Sequence, residues 1–282
     1  MKKNRDKNIR FLEVEPEYYD YQKSRFVVVP VPYEATTTYG KGTKNGPAAI
    51  LEASKQVEEF DEELGYEPYK KAWIYTLEPL SVQSLTSKVQ SLLKDKKVPV
   101  ILGGEHSITP YAIKAFAEKY KNLSVLLFDA HADLRDKYQG SKQNHACVTR
   151  RVLEICPAVQ VGLRNISQEG NEFAKKTGQL KKIHWAEHLE AAEQITTQLS
   201  NNVYISFDVD AFDPAIMPNT GTPEPGGLLW HEAIDILKAV CREKNVVGFD
   251  VTELAPRKGE IAPDFTVAKL VYKIMGLISA KT

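Results

Sequence analysis

The 282-residue sequence predicts an α/β fold built on a parallel sheet. Two observations carry that expectation. From about residue 98 onward, short apolar runs alternate with helix-length amphipathic segments, the rhythm of strands joined by right-handed helical crossovers. Carboxylates and histidines gather directly after the apolar runs, and open α/β sheets bind ligands outside the carboxyl ends of their strands. With no composition break, internal repeat or low-complexity linker, residues 1–282 read as one domain. Residues 1–24, charged and Tyr-rich, read as an irregular N-terminal arm or partner contact.

Taken in order, the Val-rich run Phe26 to Pro32 is the first strand. Gly40 to Pro47 is a loop, and Pro47 suits the first turn of the next helix. The apolar spacing Ile50, Leu51, Val57, Phe60 extends that helix to about Leu64. A strand near 72–76 and a helix near 82–93 come next. The regular part is strand 98–102, helix 108–120, strand 124–128, helix 147–155, strand 158–163 and helix 168–177. It continues as short strand 181–184, helix 187–200, strand 203–207, helix 231–244, strand 246–251 and helix 264–279.

Composition narrows the partners. A formal net charge of zero gives no electrostatic footprint for nucleic acid or an anionic membrane. The apolar runs are too short to span a bilayer, and the basic N-terminus leads into no apolar signal core. Cys147, Cys156 and Cys241 are scattered, with no CxxC, which suits a reducing cytoplasm better than a disulfide framework or a thiolate zinc site.

Three segments carry chemistry. Asp129-Ala-His131-Ala-Asp133 follows Ser124–Phe128, Asp208-Val-Asp210 follows Val203–Phe207, and Gly103-Gly-Glu105-His106-Ser107 follows Val100–Leu102. Carboxylates at every second residue of a buried strand end repel one another and are costly to desolvate unless cations lie among them. The candidate ligands are His106, Asp129, His131, Asp133, Asp208 and Asp210. Oxygen and imidazole donors without sulfur suit manganese, and also iron, cobalt, nickel or zinc. Residues two apart in an extended segment face the same way, so Asp208 and Asp210 point together, as can Asp129, His131 and Asp133. Four aspartates balance two divalent cations, and ions about 3.5–4 Å apart can share a water and deprotonate it near neutral pH.

Other polar residues have plainer readings. Asp213-Pro214 is a turn starter. His184 and His188 have a spacing that binds zinc on a helix, but they lie beside a short strand in a Lys-rich stretch and read as surface or partly buried. His231 belongs to the start of a helix.

These segments, with Thr220-Gly-Thr-Pro-Glu-Pro-Gly-Gly227 and Phe249-Asp-Val-Thr-Glu-Leu-Ala-Pro256, resemble the ureohydrolase family of arginases and agmatinases over nearly the whole chain. The resemblance implies a three-layer α/β/α fold with a parallel eight-stranded sheet and a two-manganese site, with nickel or another divalent metal as an alternative. It assigns His106, Asp129, Asp133 and Asp208 to one ion and Asp129, His131, Asp208 and Asp210 to the other, so that Asp129 and Asp208 bridge. Leu134-Arg135-Asp136-Lys-Tyr138-Gln-Gly140 and Asn144-His145-Ala-Cys-Val are most like agmatinases. The loop with which arginases hold an α-carboxylate is missing, so the resemblance implies hydrolysis of agmatine to putrescine and urea in a homotrimer or homohexamer.

A guanidinium is a planar cation that is essentially never deprotonated. Four aspartates, two dications and one hydroxide leave a net charge of minus one to receive it. Glu253, in the strand-end Asp-Val-Thr-Glu segment, suits the guanidinium nitrogens, and the resemblance adds Thr222 as a contact. The departing amine needs a proton, and His145 matches the family's proton-shuttle histidine. The alternatives are hydrolysis of aminopropylagmatine, guanidinobutyrate, guanidine or formiminoglutamate, and an inactive relative serving as a scaffold. A one-zinc deacetylase of the same fold is disfavoured by His106, Asp133 and Asp210. Lys41, in the loop after the first strand, would sit awkwardly beside a cationic tail if it pointed inward.

Overall fold

The computed structural model describes residues 10–281, so the first nine residues of the expected arm lie outside the described residues. The strands are β1 (Phe26–Val31), β2 (Ile74–Thr76), β3 (Val98–Gly103), β4 (Leu123–Phe128), β5 (Ala158–Leu163), β6 (Ile183–Trp185), β7 (Asn202–Asp208) and β8 (Asn245–Thr252). The helices are α1 (Gly46–Ser54), α2 (Pro68–Ala72), α3 (Val82–Lys94), α4 (Thr109–Lys119), α5 (Val148–Leu153), α6 (Gln168–Thr177), α7 (Ala192–Thr197), α8 (Trp230–Glu243) and α9 (Ile261–Ala280). Among the described residues the eight strands form one sheet in the order β2-β1-β3-β8-β7-β4-β5-β6, and every pairing is parallel.

Alternation along each strand divides the core into two faces. Phe26 and Val28, Val100 and Leu102, and Leu126 and Phe128 pack with residues of α1, α8 and α9. Their neighbours Val27 and Val29, Ile101, and Val125 and Leu127 pack with α3, α4 and α5 on the other side. The sheet is therefore covered on both faces, which is why its strands read as near-continuous apolar runs. The expected three-layer α/β/α arrangement with eight parallel strands is what the chain adopts.

Several local expectations are corrected. The helix expected to run to Leu64 stops at Ser54. Beyond it, the Asp61 carboxylate accepts from the backbone N–H groups of Glu63 (3.1 Å) and Leu64 (3.0 Å), a local turn that competes with helix. The same carboxylate takes the buried Lys273 ammonium of α9 at 2.8 Å. The helix expected over 187–200 shrinks to α7, and a 3-10 turn, Ala186–His188, precedes it. In the described part of the expected arm, Phe11 and Leu12 are buried. The Leu12 N–H donates to Ser54 Oγ and the Phe11 N–H to Thr76 Oγ1, both at 2.9 Å, so this stretch is pinned across α1 and β2. No helix of the described residues is long and apolar enough to cross a membrane.

Strand order gathers the acidic segments. The central neighbours β3, β8, β7 and β4 run parallel, so their carboxyl ends open on one edge. Register places Phe128 beside Phe207, and hence Asp129 beside Asp208; it also places Asp208 beside Thr252, one residue before Glu253.

Candidate metal centre

Two matching turns end β4 and β7. Asp129 Oδ1 accepts from the N–H of His131 (2.7 Å), and Asp208 Oδ1 from the N–H of Asp210 (2.9 Å). Each turn folds the chain back over its own aspartate. Asp210 Oδ1 ties the two together by accepting from the N–H of Ala130 at 2.9 Å. The Arg164 guanidinium fastens the surrounding loops by donating to the carbonyls of Gly162 (2.8 Å), Asp210 (2.7 Å) and Glu224 (2.8 Å). After β3 the chain turns through Gly104, where any Cβ would collide with the Tyr33 carbonyl oxygen, and so delivers His106 to the same edge.

Five of the six predicted donors fall into two tight groups, and Asp133 lies beside them in neither. His106 Nδ1 is 3.2 Å from Asp129 Oδ2, 3.2 Å from Asp208 Oδ2 and 3.9 Å from Asp133 Oδ2. His131 Nδ1 is 2.9 Å from Asp210 Oδ2 and 3.7 Å from Asp129 Oδ1. Among the described residues, His106, Asp129 and Asp208 form one group whose donor atoms lie within 4.8 Å of one another, and Asp129, His131 and Asp210 form a second. Asp129 belongs to both. Asp208 belongs by that distance to the first only, whereas the resemblance places it in both.

The donor set fits hard divalent cations. His106 Nδ1 and Asp129 Oδ2 are buried and face each other at 3.2 Å, yet neither has a hydrogen-bond partner among the described residues. The tautomer explains why. Ser206 spends its one hydroxyl proton on Asp250 Oδ1 (2.7 Å), so it can only accept from His106 Nε2 (2.9 Å). The second oxygen of Asp250 accepts from Thr109 (2.9 Å) and Tyr204 (2.8 Å). The ring proton is thus held at Nε2, and the Nδ1 lone pair points into the carboxylates, the usual preparation of a metal-binding histidine.

Without cations, only protons can relieve this crowding. Burial raises Asp133 and Asp208 well above the usual carboxylate range, with the charges of Asp129 and Asp210, respectively, adding to it. Burial disfavours a charged His131, but Asp210 and Asp129 outweigh it and push the ring up to about 12. His106 is raised by Asp129 and Asp208 against the same burial. Glu253, also buried, is pushed from the ordinary 4.5 up to about 8. A carboxyl raised in the folded state keeps its proton after the unfolded chain has lost it. Its contribution is complete at low pH and disappears as pH climbs from about 4.5 through about 8. The raised histidines act with the same sign. The metal-free protein is therefore expected to melt at a lower temperature at pH 8 than at pH 5, with divalent metal reversing the trend. Calorimetry in chelator checks this, and a metal-free Tm that rises over the interval would contradict the crowding.

A cavity of about 170 Å³ is lined by all six donors together with His145, Thr222 and Glu253. Tyr39, 83% exposed, marks its solvent end, and Arg135 and Tyr138 also line it. Lys41 is exposed and does not line it. Glu253 directly follows β8 with φ +67°, and Asp133 has φ +50°, so two of the site's carboxylates sit on backbone that L-residues seldom adopt. Glu253 is anchored by its N–H to the Gly104 carbonyl (2.8 Å) and by Oε1, which accepts from the N–H of His106 (2.6 Å). Burial lowers the His145 ring below its ordinary value, against the attraction of Glu105.

The plainer readings also meet the structure. Asp213 accepts from the N–H groups of Ala215, Gly226 and Gly227, a turn role. His184, expected at the surface or partly buried, is instead buried on β6, with Nδ1 3.1 Å from Glu190 Oε2, while His188 is exposed on the following 3-10 turn, so the pair shares no helix. His231 lies in the first turn of α8. Ser206, Asp250, Arg164 and Glu224 carry structural work that the sequence left without a role. Glu224 is the most visible omission: its Oε1 accepts from Asn165 Nδ2 at 2.6 Å and lies 3.7 Å from His131 Nε2.

A model of the Arginase family matches residues 24–276. The N(1)-aminopropylagmatine ureohydrolase of Synechocystis sp. is 40% identical, covering 95% of this chain and 93% of its own length. The agmatinase of Pyrococcus horikoshii is 33% identical, covering 95% of this chain and 97% of its own. Among solved structures, the agmatine ureohydrolase of Thermoplasma volcanium superposes with a TM-score of 0.83 at 28% identity, covering 93% of this chain and 92% of that one.

Proposed function

The chain belongs to the arginase family of ureohydrolases, and from that premise we propose that it hydrolyses an amine-tailed guanidine, agmatine first, to urea and the free amine, which for agmatine is putrescine. The observation that most supports this reading is the largely buried cluster of four aspartates and two histidines sharing one cavity with Glu253. In this reading His106, Asp129, Asp133 and Asp208 hold one divalent ion and Asp129, His131, Asp208 and Asp210 a second, both manganese, with nickel the alternative. Two such ions, when bound, neutralise the aspartates and make hydroxide available from water near neutral pH.

The chain's own residues do the rest. Glu253 Oε1 is engaged by the His106 N–H, which orients the carboxylate while leaving Oε2 for the guanidinium nitrogens. The incoming cation favours the ionised Glu253 that burial alone disfavours. Thr222, on the cavity wall, adds a contact. The alkylamine cannot leave as an anion, and His145 supplies its proton.

A second reading, N1-aminopropylagmatine as substrate, is favoured by the 40% identity to the relative of that name. The two substrates differ only beyond the guanidinium, where Tyr39, Arg135 and Tyr138 line the cavity. Urea release measured with manganese, then nickel, on agmatine, aminopropylagmatine, guanidinobutyrate, arginine and guanidine, with formamide release measured on formiminoglutamate, tests both. Agmatine or its aminopropyl derivative is expected to show the highest kcat/KM. A better carboxylate-tailed substrate would overturn the amine-tail reading, and no hydrolysis of any of them would leave the scaffold reading. We propose a cytoplasmic homotrimer or homohexamer, consistent with the three buried free cysteines and with the exposed Leu229, Ile261 and Phe265, which an interface would cover.

A further inference from the structure

His145 is held by one hydroxyl group. Its ring Nδ1 lies 3.2 Å from Thr36 Oγ1, and its backbone N–H donates to the same oxygen at 3.1 Å. Thr36 in turn donates its proton to Glu105 Oε1 at 2.8 Å. Glu105 is 0% exposed, and every partner of its side chain is a donor: the Ala35 N–H (2.5 Å), the Thr36 N–H (2.7 Å), the Thr36 hydroxyl and the Ser107 hydroxyl. A carboxylate so surrounded acts only as acceptor, so the direction of the Thr36 bond is set.

A hydroxyl has one proton to give. Because that of Thr36 goes to Glu105, its oxygen can only accept from the ring. Nδ1 must therefore carry hydrogen, and the lone pair of the neutral imidazole lies on Nε2, the nitrogen left for the cavity that His145 lines. We infer that Glu105 and Thr36 are positioning residues that set the tautomer and orientation of His145, so that Nε2 is the atom that takes and gives the proton. This rests on the proton-transfer role proposed for His145 and assigns neither residue a contact with substrate or metal. The step balances. As water adds to the guanidinium carbon, Nε2 takes one proton from it. As the carbon–nitrogen bond breaks, Nε2 returns that proton to the departing nitrogen. The second water proton, left on the carbon-bound hydroxyl, passes to the freed amine as the urea carbonyl forms. Guanidinium and water thus give urea and an alkylammonium, and the ring ends as it began.

Glu105 precedes His106, so Thr36 is the cleaner site to test. Thr36→Val removes the hydroxyl at nearly constant volume, and Thr36→Ser keeps it. In the metal-loaded full chain, Thr36→Val is expected to lower kcat on agmatine about ten- to a hundredfold, within what general acid–base catalysis contributes, with KM changed less than about twofold. Thr36→Ser should recover most of the loss. The second arm is nitrogen NMR of histidine-labelled, metal-free protein, with the His145 signals assigned by their disappearance in His145→Gln. Wild type should show a protonated Nδ1 and an unprotonated Nε2, and Thr36→Val should lose that preference. Unchanged kcat in Thr36→Val, a serine variant as impaired as valine, or a His145 tautomer indifferent to Thr36 each overturns the inference. A wild-type protein releasing no urea from any guanidine overturns the functional reading instead; the NMR arm, which needs neither metal nor substrate, still decides the tautomer.

Discussion

Asp208→Ala is expected to abolish turnover, on the order of 10⁴-fold or more, because residues that act as one catalytic unit fail together. It is also expected to reduce bound metal below two equivalents per chain. Asp208 Oδ2 lies 3.2 Å from His106 Nδ1, and Asp208 Oδ1 holds the turn that presents Asp210, so its loss removes a donor and loosens a second. The same substitution should do the opposite to the empty protein. It deletes one of the crowded carboxyls that burial and Asp210 raise, so metal-free Asp208→Ala should melt above metal-free wild type at pH 8. Added manganese should then raise the Tm of wild type, by the linkage of ligand to the folded state, and raise that of the variant by less. Elemental analysis after gel filtration and paired melts measure all of this. Two equivalents retained by Asp208→Ala would sink its place in the metal site.

Glu253→Gln separates the metal from the substrate. The amide keeps an oxygen to accept from the His106 N–H, and the Glu253 N–H keeps the Gly104 carbonyl, so the turn and the bound metal should survive. What disappears is the negative charge that faces the guanidinium. Truncating one partner of a buried charge pair costs about 2–5 kcal/mol, and kcat/KM should fall by on the order of 10³-fold. Metal content and Tm in manganese should stay close to wild type. Wild-type kcat/KM in this variant would remove Glu253 from substrate binding. A parallel loss of metal would recast it as a support of His106.

The donors of the candidate site were legible because their geometry is local. Asp129, His131 and Asp133, and Asp208 and Asp210, are spaced two apart at the ends of apolar runs, and the turns there are made by the aspartates' own side chains. Their meeting was legible only as a shared position at strand ends; the neighbour order β3-β8-β7-β4 is a matter of long-range pairing that no local pattern announces. The overlong first helix shows the opposite failure. Val57 and Phe60 keep helical spacing, but Phe60 is 49% exposed, and the turn at Asp61 is held by Lys273, 212 residues away. Thr36 and Glu105 escaped for a related reason. Their meaning lies in which of two oxygens holds a proton, and the partners stand 69 and 109 residues apart.

The position of β8 bears on how the molecule is assembled. The last strand in the chain inserts between β3 and β7, and it leads into the residue whose carboxylate meets His106 across 147 positions. Until β8 arrives, β3 has no neighbour on that side, and the His106 turn is not brought against the aspartates of β4 and β7. A growing chain can pair β4 with β7 and so gather Asp129, His131 and Asp210, but it offers a metal ion no group that includes His106. Pairings of such long reach form slowly, so full loading should come after the sheet closes rather than guide it. The ion would act as a latch on a finished molecule, and a chain halted before Thr252 would have no complete site to latch.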